Sequence, residues 1–214
     1  MAGLPQIPPY PLPTKAELPR ARTDWQIKPQ RAALLIHDMQ RYFLGRFQDG
    51  ESPLTPAIAN IARLAAHARA KGIPVFYTAQ NGDQDRRDRG LQADLWGPGM
   101  SDRPSHQEII PELGPQPGDF VLVKHRYSAF QRSNLADLMR VRQRDQLIIT
   151  GVYAHIGCML TAAEAFQRDI QPFLAADALA DFSRADHDMA LHWAAGNCGV
   201  PMTSDAVISA LSDT

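Results

Sequence analysis

Two ionisable residues stand where buried strands should end. Asp38 follows the apolar run AALLIH (32–37), and Lys124 closes DFVLVK (119–124). A charge in such a place has to be solvated, paired or functional, because burying it alone is costly. If the two strands are near neighbours, the acid and the cation converge over one edge of the sheet; a buried structural ion pair is the competing reading. A third strand end, TGVYAHIGCML (150–160), runs from strand into helix. Free N–H groups and the positive dipole end of a helix suit a carboxylate or an oxyanion there. Gly157 either lets a ligand approach the backbone or is an ordinary glycine in a tight turn. Cys158 places a thiol in the same turn.

The elements that must position these groups are legible as an alternation. Short apolar runs at 32–37, 73–79, 119–124, 146–152, 170–176 and 200–204 read as strands buried on both faces. Between the first two, Ile58, Ile61, Leu64, Ala65 and Ala68 recur at helical spacing, and Gly72 stands where a left-handed cap ends a helix. Ser133 before Leu135, Leu138 and Met139 starts another helix. Residues 158–168 carry a third, and Ser183 with Asp186 forms a capping-box-like start for 184–195. Right-handed crossovers then give a three-layer α/β/α sandwich with an open, mainly parallel six-stranded sheet, whose ligand site lies beyond the carboxyl ends of the strands.

Two segments fall outside the alternation. Residues 1–24 are proline-rich and are expected to form an extended, non-catalytic arm on the body or on a partner subunit, ahead of a single domain over 25–214. Residues 80–118 separate the second and third strands, and Trp96 followed by Gly-Pro-Gly predicts an ordered lid.

Composition narrows the function. With 22 Lys+Arg against 23 Asp+Glu, no field is available to hold a polyanion, so nucleic acid is not an expected partner. Two isolated cysteines in a chain of 214 residues make no disulfide framework, and a reduced cytoplasmic setting is expected. No apolar run reaches the roughly 18 residues of a membrane span. His187 and His192 are five apart, which does not put them on one helix face as metal ligands, so no metal is expected.

LLIHDMQRYF, VKHRYSAF, GVYAHIGCM and DIQPFLAADALADFS together resemble the isochorismatase family of the cysteine-hydrolase-like superfamily, over about residues 5 to 210. The siderophore branch is the nearer likeness and the phenazine branch the next. Amidases of the superfamily carry a cysteine six residues after the glycine of this turn; counted from Gly151, that place is Gly157 and Cys158 is one too far. One residue is about 100° of helix rotation, so Cys158 should point into the core. The resemblance therefore implies chemistry without a thiol: hydrolysis of the vinyl ether of isochorismate to pyruvate and 2,3-dihydro-2,3-dihydroxybenzoate, with no cofactor. Asp38 would protonate the enolpyruvyl group, assisted by Lys124 and the backbone at Gly157. A lysine beside Asp38 lowers its pKa, and a doubly anionic substrate would offset this.

The resemblance further implies that Gln80, Arg89, Lys124, Tyr153 and Gly157 bind substrate, although an arginine within DRRDRG reads by itself as a solvated charge. Trp96, Tyr127 and Phe43 are candidate pocket walls, with core packing as the alternative. His125 stands where siderophore relatives have Trp, and Asn81 where proline is common. His125 and His37 are both expected to face away from the pocket by strand alternation, and His155 is a weak candidate base. Two alternatives stay open: the same hydrolysis on 2-amino-2-deoxyisochorismate, and more distantly an amidase using Cys158. A homodimer is expected, and the ending SDAVISALSDT leaves no aryl carrier domain.

Overall fold

The computed structural model describes residues 4–212. Six strands, β1 (Ala32–His37), β2 (Val75–Ala79), β3 (Phe120–Val123), β4 (Gln146–Val152), β5 (Gln171–Ala180) and β6 (Val200–Met202), form one sheet in the order β3-β2-β1-β4-β5-β6. Every pairing is parallel. The helices are α1 (Arg41–Leu44), α2 (Leu54–Ala70), α3 (Arg86–Arg89), α4 (Gln92–Trp96), α5 (Pro104–Gln107), α6 (Leu135–Val141), α7 (Met159–Gln167), α8 (Arg184–Asn197) and α9 (Ser204–Ser212).

Alternation along β1 explains the three layers. Leu34 and Ile36 face the core shared with Ile61 and Leu64 of α2 and Leu211 of α9. Ala33 and Leu35 face the opposite core, with Met139 of α6, Ala162 of α7 and Leu191 of α8. Burying Ile61 or Leu64 contributes about 1.5–3 kcal/mol each, so α2 is held by its apolar stripe. It stops where Gly72 adopts φ 66°. Ser183 caps α8, accepting from the Asp186 N–H.

Two expectations need correction. The edge strand β3 is not buried on both faces: Val121 and Val123 are 50% and 42% exposed, because β3 has a neighbour on one side only and no helix over that face. The fifth strand runs on to Ala180, past Asp177, where its apolar run breaks. Asp177 is tolerated because its carboxylate accepts from the N–H and hydroxyl of Ser204 at the start of α9. The arm packs on the body. Ile7 and Tyr10 are buried on the body, and Leu4 lines the pocket described below.

Strand order reverses between β1 and β4, which opens a crevice beyond their carboxyl ends. At its base lies Gly151, at φ 103°, where a Cβ would stand 2.1 Å from the His37 carbonyl oxygen; only glycine fits.

Candidate active site

Asp38 sits just past β1 at φ 52°, and Lys124 just past β3. The two strands are not adjacent; β2 lies between them and supplies the groups that fill the gap. The Lys124 Nζ donates to Asp38 Oδ2 at 2.7 Å, the Thr78 hydroxyl donates to Oδ1 at 2.6 Å, and Gln80 Nε2 reaches Oδ2 at 3.4 Å. Thr78 and Gln80 are two apart at the end of β2, hence on one side of the sheet. Asp38 and Lys124 are 4% and 3% exposed, so this is a dry ion pair. Burial pushes the Asp38 carboxyl pKa up, but Lys124, His37 and the Thr78 hydroxyl outweigh it and hold the group below the usual carboxylate range.

The nine residues expected at the site all line one cavity: Asp38, Phe43, Gln80, Arg89, Trp96, Lys124, Tyr127, Tyr153 and Gly157. Its volume is about 60 Å³. Arg89 enters from the lid. Its Nε donates to the Gly97 carbonyl at 2.6 Å, and its head fills the place where a Cβ on Gly99 would lie 2.5 Å from Nη1. It forms no salt bridge with a described carboxylate, and burial lowers its pKa. Its remaining N–H donors have the fork geometry that suits a carboxylate. The Trp96 indole donates to the Tyr127 hydroxyl at 2.6 Å and so ties the lid to the loop after β3. The Tyr153 hydroxyl donates to the Phe43 carbonyl at 2.6 Å, so only its ring and backbone remain for a ligand.

Cys158 is wholly buried in the core with Leu35 and Ala162, its Sγ 3.9 Å from the Thr150 carbonyl oxygen, and burial pushes its pKa well up. It is not on the pocket wall. Gly157 is, as the rotation argument required.

His37 does not face away, contrary to the alternation argument. Strand geometry ends at His37, and the left-handed backbone of Asp38 turns both side chains toward the cavity. The imidazole Nδ1 lies 2.7 Å from the Val152 carbonyl oxygen and 3.8 Å from Asp38 Oδ2. His125 lies off the pocket beside β3.

Asp181 and Gln40 escaped the sequence reading. Asp181, the residue after β5, accepts from both the backbone N–H and the Nδ1 of His155, each at 2.6 Å. One donor of the expected anion cradle is therefore consumed internally, and His155 is absent from the pocket lining. Gln40 anchors the lid. Its Oε1 accepts from the Gln80 N–H at 2.7 Å, while its Nε2 donates to the carbonyls of Gln80 and Gln107 at 2.8 and 2.7 Å. A polar residue two past Asp38 was the available signal. Among the described residues, no group of three or more His, Cys, Asp or Glu could hold a metal ion.

The comparisons with known proteins agree with this architecture. The chain is 50% identical over 211 residues to an isochorismatase of Bacillus subtilis (strain 168), covering 99% of this chain and 68% of that protein. It is 50% identical over 204 residues to enterobactin synthase component B of Escherichia coli (strain K12), covering 95% and 72%. With a phenazine biosynthesis protein of Pseudomonas fluorescens it shares 48% over 208 residues, covering 97% and 100%. Among solved structures, a cysteine hydrolase from Pseudomonas syringae pv. phaseolicola 1448A superposes with a TM-score of 0.77 at 26% identity, covering 90% of this chain and 97% of that one. The isochorismatase domain model matches residues 32–206, and the chain belongs to the isochorismatase family.

Proposed function

We propose that the protein hydrolyses the vinyl ether of isochorismate, giving pyruvate and 2,3-dihydro-2,3-dihydroxybenzoate for a siderophore or related secondary-metabolite pathway. The carrying observation is the pocket's charge inventory: one buried acid, two buried cations, and glycine at the place where superfamily amidases carry their nucleophile. Such a site suits an anionic substrate that is protonated rather than attacked by the protein.

Asp38 transfers its proton to the enolpyruvyl methylene carbon. Water adds to the resulting oxocarbenium ion, and the hemiketal collapses to pyruvate and the dihydrodiol. In the free enzyme Lys124 and Thr78 keep Asp38 ionised. A substrate with two carboxylates reverses this: Arg89 takes one, and the other, drawn into a water-poor cavity beside Asp38, raises the carboxyl pKa until it holds a proton. Trp96, Tyr127, Phe43 and Tyr153 enclose the ring.

Pyruvate release coupled to lactate dehydrogenase tests the reading. Wild-type protein should turn over isochorismate, and Asp38→Ala should lose at least about 10³-fold in kcat while still binding substrate. Sustained turnover by Asp38→Ala refutes the acid assignment. Running 2-amino-2-deoxyisochorismate alongside decides which ring is preferred, since a polar partner left unpaired by one of them would separate the two. A cytoplasmic homodimer belongs to the same reading. No described helix is long and apolar enough to cross a membrane, and exposed Leu91, Leu95 and Leu160 offer apolar surface for a subunit contact.

A further inference from the structure

We propose that His37 fixes the reaction class of this site: its imidazole occupies the volume that any side chain at position 157 would need, and so bars a covalent nucleophile from the pocket. A Cβ built on Gly157 would stand 2.1 Å from His37 Cε1, 2.8 Å from Nε2 and 3.0 Å from Nδ1. Contacts that short do not occur, so a residue with a Cβ at 157 requires the ring to leave. Gly157 is not held in the left-handed region, so space alone, and not backbone conformation, demands glycine there.

The ring is held in place by its neighbours. It is fully buried, with Nδ1 against the Val152 carbonyl oxygen at 2.7 Å and Nε2 at 3.3 Å from that of Tyr127. Gly90 makes a useful contrast. A Cβ there would meet only the far end of the Arg126 side chain, at 2.9 Å, which can swing aside. Burial also lowers the His37 pKa to about 4. The missing nucleophile is therefore one half of a pair of residues. Restoring a cysteine at 157 means removing His37 as well.

The inference deepens the proposed function but is read without its substrate. Gly157→Ala, Gly157→Cys, His37→Ala and the His37→Ala/Gly157→Cys double variant of the full chain are compared by melting temperature and by iodoacetamide alkylation, with the adduct mapped by mass. Overpacking should lower the melting temperature of Gly157→Ala and Gly157→Cys by about 4–10 °C. In the double variant the loss should be smaller than the sum of the two single losses. The thiol at 157 should alkylate at least about tenfold faster in the double variant than in Gly157→Cys, because the pocket then admits it in an exposed rotamer. Should Gly157→Cys fail to fold, Gly157→Ala in the two His37 backgrounds carries the same cycle, and rescue of a soluble protein by His37→Ala counts as coupling. Strict additivity, or Gly157→Ala melting within about 1 °C of wild type, overturns the proposal. Pyruvate assays on the same proteins report separately on the function.

Discussion

The sheet carries an ion pair at each end, one partly buried and one fully buried, and they are built differently. At the amino end, Arg69 of α2 meets Asp119, the residue before β3. Arg69 Nε and Nη2 both donate to the carboxylate, at 3.2 and 2.7 Å, and Nη2 also donates to the Tyr77 hydroxyl at 2.8 Å. The Gln116 N–H donates to the same carboxylate at 2.8 Å. At the carboxyl end, the Lys124 ammonium has three hydrogens and one protein acceptor, Asp38, while Arg89 nearby has only the Gly97 carbonyl. Both oxygens of Asp119 are engaged by protein donors, while Lys124 and Arg89 hold donors in reserve. At the buried pair the spare capacity, more than the charge, separates a site from a brace.

The widest gap between them should appear when each loses its charge at constant shape. Asp38→Asn is expected to cost at least about 10³-fold in kcat. Asp119→Asn should leave turnover per folded molecule near wild type and cost about 2 kcal/mol, or about 5 °C in melting temperature. Coupled assays beside thermal melts read both numbers, and a catalytic collapse in folded Asp119→Asn would erase the distinction. Next comes Arg89→Gln. Removing a charge-assisted contact should raise KM about 10- to 100-fold and move kcat less. An unchanged KM would mean that the unfilled guanidinium is not the anion receptor.

Acid sharpens the comparison from the stability side. Burial lowers the pKa of both His37 and His187 to about 4. Between there and the ordinary histidine value near 6.5 the unfolded chain binds more protons than the folded one, so stability falls as pH drops through that window. Up to two protons should be taken up on unfolding from these two rings. His155 has the opposite sign: Asp181 outweighs burial and raises its pKa, so its stabilisation grows as pH falls toward the ordinary histidine value and stays constant below it. Melting curves from pH 7 to 4 measure the slope, and His187→Gln should flatten it.

The sheet was readable because a parallel strand buried on both faces is an unbroken apolar run, and Asp38 and Lys124 were readable because they end such runs. What escaped has one cause: features made by residues distant in sequence. The exposure of β3 depends on which strand takes the edge. Asp181 was hidden because Asp177 broke its run, and Asp177 is tolerated only through its contact with Ser204. His37 was misjudged because period-two alternation stops where the backbone turns left-handed at Asp38. Arg89 among its charged neighbours was chosen by resemblance; periodicity could not have picked it. The fit of Gly157 to the His37 ring is a property of the end of β1 and the 153–158 turn and exists only in the fold.

The smallest effect is expected from the network joining the arm to the site. The Tyr10 hydroxyl accepts from the Asp181 N–H at 2.7 Å and, 3.1 Å from His187 Nδ1, donates to that nitrogen. The His187 Nε2–H then donates to the Ala176 carbonyl at 3.0 Å, which leaves no donor or acceptor in the chain idle. By the rule drawn from the two ion pairs, so saturated a network braces the structure and does no chemistry. Tyr10→Phe should therefore cost about 1 kcal/mol, near 3 °C, with kcat unchanged. KM is the sensitive readout, because Leu4 on the pocket wall and Asp181 under the 153–158 turn are both tethered through this residue. A rise of about twofold fits a wall that has loosened. A tenfold fall in kcat at constant stability would show that the arm belongs to the catalytic machinery, and spare bonding capacity would no longer be the mark that finds it.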